Sequence, residues 1–178
     1  MAPKRATTRR SLLAGAAGLL ASPAIIGRAA AATRGVSDTE IIIGMMTDLS
    51  GVTAVQGSNA ANSIRMAFEE VNAKGGINGR KVRFIVEDMQ YLVPKAVQAM
   101  NKLVNLDNIF LSLSSGGTPQ MDAVLPMMLE KGVPSVFPLT CARSMYEPFN
   151  KYKYGQFASY CNCPGCCEAG ARGLSCGG

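Results

Sequence analysis

What most limits this chain is a regular alternation of apolar, β-branched runs with stretches of helical period. The run from Thr39 to Thr47 carries three successive isoleucines and two methionines, which predicts a buried strand. From Ser58 to Lys74, Ala61, Ile64, Ala67, Phe68 and Val71 recur on one helical face. Gly75-Gly76 stops that helix, and Asn78-Gly79 turns the chain. Lys81–Asp88 reads as a second strand. Pro94 opens a second helix to about Asn105, with Ala96, Val97, Met100 and Leu103 or Val104 inward. Asn108–Leu113 is a third strand, Gln120–Lys131 a third helix and Val133–Pro138 a short fourth strand.

Strands that alternate with single helices predict an α/β fold: a Rossmann-like parallel sheet with helices on both faces and right-handed crossovers. At 178 residues the chain has room for one domain and a fraction of another. Ligands of such sheets bind beyond the carboxyl ends of the strands, beside a switch in strand order. The loops there are 48–57, 114–119 and 139–144, and all are rich in small and hydroxylated residues. Backbone N–H groups and short side chains, with a helix N-terminus behind them, suit an anionic group such as a carboxylate. The same residue types also suit plain tight turns. Gly75-Gly-Ile-Asn-Gly79 is not a nucleotide fingerprint, because it follows a helix and precedes a strand.

Other classes are disfavoured by what the chain contains. It has no histidine, which removes Ser-His-Asp and Cys-His nucleophilic sites and histidine zinc sites together. The net charge of +6 suggests nucleic acid at first sight. Lys4, Arg5, Arg9, Arg10 and Arg28 account for most of it, and no acidic residue lies in the first 32 positions. The remainder is close to neutral and has no basic stripe, so nucleic acid is not an expected partner. Residues 1–32 run from basic to apolar to small, the pattern of a secretory signal peptide. Thr8-Arg9-Arg10-Ser11-Leu12-Leu13 is similar to the twin-arginine export signal, and paired arginines also occur in ordinary signal peptides. The expected partner there is the export machinery, and the expected location is the periplasm.

Several stretches carry a family resemblance. They are Val36–Gly44, Leu49-Ser-Gly51, Gly75-Gly-Ile-Asn-Gly-Arg-Lys81, Glu87-Asp88, Pro94, Ser115-Gly-Gly-Thr-Pro119 and Val133-Pro134. In order and spacing this set resembles the periplasmic solute-binding proteins of branched-chain amino acid ABC transporters, over about residues 35–160. The resemblance implies the first lobe of a type I periplasmic binding protein at 33–150, with 151–160 starting the crossover to a second lobe. It implies hinge closure on a small carboxylate-bearing solute such as a branched-chain amino acid, an amide or a related acid. It implies an ABC transporter permease as membrane partner, and neither a cofactor nor catalysis. Ser115, Gly117 and Thr118 would help hold the carboxylate. Leu139, Thr140, Cys141 and Ala142 would meet the polar head, with Cys141 standing where relatives often carry glycine. Ser50 and Gly51 would border the cleft, and Tyr160 would face the ligand.

The resemblance stops at Tyr160. Residues 161–178 hold five of the six cysteines, Cys161, Cys163, Cys166, Cys167 and Cys176, and show no amphipathic period. This segment is expected to be frame-shifted and disordered, leaving the fold incomplete and solute capture impaired. The alternative is an exported cysteine-tail metal-binding or redox protein on an α/β scaffold, although the spacing lacks a second Cys-x-x-Cys pair. A sensory ligand-binding domain of the same fold is disfavoured by the export signal.

Overall fold

The computed structural model describes residues 33–160. The export signal expected at 1–32 and the cysteine-rich segment at 161–178 lie outside the described residues. Five strands form one parallel sheet: β1 (Glu40–Thr47), β2 (Lys81–Asp88), β3 (Leu111–Leu113), β4 (Ser135–Val136) and β5 (Lys153–Tyr154). Between them run the helices α1 (Ala54–Ala73), α2 (Val93–Asn101) and α3 (Thr118–Glu130). The strand order is β2-β1-β3-β4-β5, so the direction of progression switches between β1 and β3.

β1 is the axis of this arrangement. Met45 and Met46 are adjacent and both 0% exposed, although adjacent side chains in a strand point to opposite faces. Both faces of the sheet are therefore covered, which explains a continuous apolar run in place of an alternating one. On one face Met46 joins Met100 and Leu103 from the second helical segment and Met121, Val124 and Met128 from α3. Gly44 lies on that face too, and a Cβ there would stand 2.8 Å from the Ile109 side chain. Its bare Cα lets Ile109 close over the strand. Ile43, Met45 and Thr47 point the other way, toward the α1 side, where Ala61 is buried.

Several boundaries differ from the sequence reading, and β3 and β4 are shorter than expected. α2 runs on as a π-helical turn, Lys102–Leu106, which keeps Leu103 and Val104 fully buried. α1 begins at Ala54, inside the segment read as loop, and Ala67 on its expected inner face is exposed. Val52 and Val55 are poor helix formers and Gly57 looked like a loop end, so propensity hid the first turn. Tertiary packing decided it instead. Gly57 is buried within the helix, and a Cβ there would come 1.9 Å from the Asp48 carbonyl oxygen. The helix can lie on the end of β1 only because this side chain is missing. Among the described residues, no helix is long and apolar enough to cross a membrane.

A Gly→Ala change inside a helix ordinarily stabilises by about 1 kcal/mol. Gly57→Ala is expected to do the reverse, costing about 1–3 kcal/mol through overpacking against backbone. Urea unfolding followed by circular dichroism reads the sign, and a gain in stability would disprove this packing.

Candidate functional site

Four loops leave the carboxyl edge of the sheet, at 48–53, 89–92, 114–117 and 137–142. In the first, two carboxylates organise the backbone. The buried Asp48 accepts from the Gly51 amide (2.6 Å), the Thr53 amide (2.7 Å) and the Thr53 hydroxyl (2.8 Å). Asp88, at the end of β2, accepts from the Leu49 amide (2.9 Å), the Ser50 hydroxyl (2.6 Å) and the Gln90 amide (3.0 Å). Burial is the largest single influence on each carboxyl and pushes its pKa up. The donors from Thr53, Gly51 and Ser50 around Asp48, and from Ser50, Leu49 and Gln90 around Asp88, together outweigh it. Both groups titrate below their ordinary value. Ser50 and Gly51 thus serve the loop: their polar groups already bind Asp88 and Asp48.

The 114–117 loop is fixed to β1. The Ser115 hydroxyl accepts from the Met46 amide (3.0 Å) and pairs with the Ser112 hydroxyl (2.7 Å), while the Gly116 amide donates to the Met46 carbonyl (3.1 Å). Ser115 is 1% exposed, so its side chain lies beneath the loop and not on its surface. Gly117 has φ +82°, a conformation that disfavours a side chain, and it introduces α3. Thr118 and Pro119 form the first turn of α3, two residues earlier than the sequence predicted. Pro in the first turn suits a helix start, where its missing N–H would be unpaired anyway.

The 137–142 loop follows from the same anchoring. The Leu139 amide donates to the Ser115 carbonyl (2.9 Å). The Thr118 and Thr140 hydroxyls are 2.6 Å apart, and Thr140 Oγ1 also accepts from the Ala142 amide (3.2 Å). Thr140 and Ala142 are buried, and Cys141 is half-buried with its carbonyl accepting from the Tyr160 amide (3.0 Å). Tyr160 is thereby brought back over the carboxyl edge.

These loops surround an open depression of about 130 Å³. Of the sequence-predicted residues, Gly117, Thr118, Leu139 and Tyr160 line it together. Ser50, Gly51, Ser115, Thr140, Cys141 and Ala142 support its walls and do not line it. Thr47, Thr53, Gln56, Met89, Tyr91 and Gly116 also line it; Thr53, Gln56 and Gly116 fall in the loops 48–57 and 114–119 read as candidates, but none of the six was named as a site residue. For Met89 and Tyr91 a signal existed: the loop after β2 also leaves the carboxyl edge, but it has none of the small-residue composition of the other three. A larger depression of about 380 Å³ lies apart, beside Phe137, Tyr146 and Phe149. Among the described residues, no group of three or more Cys, Asp or Glu side chains could hold a metal ion.

A parallel sheet in the order β2-β1-β3-β4-β5, with its loops gathered around a depression at the switch point, is one lobe of a type I periplasmic binding protein. The chain belongs to the periplasmic binding protein family, which it matches over residues 40–161. It is 31% identical over 107 residues to the Leu/Ile/Val-binding protein BraC3 of Rhizobium johnstonii, covering 60% of this chain and 29% of that protein. The matched stretch is therefore under a third of that relative's length. A substrate-binding periplasmic protein from Ralstonia solanacearum superposes with a TM-score of 0.61 at 30% identity, over 69% of this chain and 34% of the other. A fatty acid ABC transporter substrate-binding protein from Thermomonospora curvata gives 0.63 at 28% identity, over 71% and 31%.

Because Asp48 and Asp88 titrate lower in the fold than in the open chain, their stabilisation is complete above the ordinary carboxylate range and fades as pH falls below it. The urea midpoint is expected to hold steady down to about pH 5 and to drop toward about pH 3. Asp48→Asn should lower the plateau and flatten the drop. An unchanged pH profile in that variant would remove Asp48 from this role.

Proposed function

We propose that this chain forms one wall of a cleft that captures a small carboxylate-bearing solute outside the cytoplasm and hands it to an ABC importer. The observation that carries the reading is the meeting of Gly117, Thr118, Leu139 and Tyr160 around one depression at the switch point. The first turn of α3 opens there, and its unpaired N–H groups and dipole favour an anionic group. The names of two relatives support the carboxylate: one is described as binding Leu, Ile and Val, the other as serving a fatty acid transporter. Both kinds of solute carry that group.

The proposed chemistry is binding alone. A ligand on one wall stays open to water, so its charge is screened and little apolar surface is covered. Closure by an opposing wall would exclude that water and strengthen each contact. The chain by itself is therefore expected to bind branched-chain amino acids only weakly, with Kd of about 1 mM or above, equivalent to about 4 kcal/mol.

Joining residues 33–160 to the remaining length of the Rhizobium relative tests the reading. The chimera should unfold at a higher temperature with leucine present, by about 2.7 kcal/mol of stabilisation at a hundredfold excess over Kd. If no branched-chain amino acid, amide or small carboxylic acid raises the melting temperature of a folded chimera, the capture reading fails.

A further inference from the structure

One feature of the depression is left unexplained by capture of a carboxylate. The loop after β2 holds two successive non-glycine residues in the left-handed region, Gln90 at φ 52° and Tyr91 at φ 55°. Such backbone persists only where its surroundings enforce it, and it gathers at functional sites. Three contacts enforce it here. The Gln90 amide is held by Asp88 (3.0 Å), and the Leu92 amide donates to the Met89 carbonyl (2.9 Å). The third comes from α3, 29 residues further along the chain: Gln120 Nε2 donates to the Tyr91 carbonyl at 2.6 Å.

Gln120 is 1% exposed, an unusual place for an amide side chain. Its Oε1 has no partner among the described residues. A Cβ on Gly117 would stand 2.2 Å from that oxygen, so the glycine leaves the space that the amide fills. The side chain is therefore oriented toward Tyr91 at the expense of its own acceptor. Tyr91 lines the depression with Gly117 and Tyr160, is 36% exposed, and its hydroxyl has no partner among the described residues.

We propose that Gln120 is a positioning residue that fixes Tyr91 as a wall of the depression, and that the Tyr91 ring receives the apolar side group of the solute. This rests on the capture reading and adds a selection rule: carboxylates with a hydrocarbon group are preferred over those without one. Because the Tyr91 carbonyl is held by a buried hydrogen bond, the backbone that presents the ring need not be ordered when the ligand arrives, and the ring offers apolar contact area.

The chain contains no tryptophan, so Tyr91→Trp gives the full chain a single indole reporter at this position. Gln120→Met keeps the volume and removes the donor. Combined with Tyr91→Trp, it should raise acrylamide quenching of the indole about twofold while the circular dichroism spectrum stays native. Equal quenching with and without Gln120, in chains that both remain folded, would overturn the positioning role. With Gln120 present, leucine at high millimolar concentration should protect the indole and glycine should not. Equal protection by both would overturn the selection rule. If neither protects but removing the Gln120 donor still doubles the quenching, the positioning role stands and the selection rule fails, while the capture reading is decided by the chimera.

Discussion

The backbone of Met46 is the point on which the rest of the carboxyl edge depends. The β1–β3 ladder pairs Gly44 with Ser112 and goes no further. Two residues on, the Met46 amide and carbonyl are both engaged, by the Ser115 hydroxyl and the Gly116 amide. Met46 is fully buried, so unpaired polar groups there would carry a heavy desolvation cost. That pair of bonds places the 114–117 loop, and the loop then places its neighbours. The Ser115 carbonyl holds Leu139, Thr118 holds Thr140, and the Cys141 carbonyl holds Tyr160. Each link is short range, and together they carry the geometry of β1 across the whole mouth of the depression.

A division of labour follows. Ser50, Ser115 and Thr140 build the loops, while the surface facing the depression mixes threonines and glycines with Gln56, Met89, Leu139 and two tyrosines. Ser115 and Ser50 show this best. Both look like ligand contacts by residue type, yet the buried hydroxyl of one completes a strand and the hydroxyl of the other binds Asp88. The rigidity of the rim rests on residues that do not themselves line the depression.

The strands and the sheet class were legible because a strand buried on both faces leaves an unbroken apolar run, as at Ile41–Met46. β2 was legible to its last residue. The first turn of α1 was not, since Gly57 signals a break unless the Asp48 carbonyl pressed against it is known. The small-residue loops around the depression could be found by composition and by family resemblance. Tyr91 had only the position of its loop at the carboxyl edge to mark it, and Gln120 had nothing, because a side-chain to backbone bond across 29 residues leaves no periodicity and no local spacing. Asp88 was visible as part of an acidic pair, but its work as an acceptor for the neighbouring loop exists only in three dimensions.

The bond from the Tyr160 amide to the Cys141 carbonyl has an engineering consequence. It ties a surface-exposed position to the rim of the depression, far along the chain from the loops that form the floor. A dye attached next to Tyr160 would share the surroundings of the depression. The lobe therefore offers an attachment point for an optical reporter at the rim of the depression, where the proposed solute would displace water.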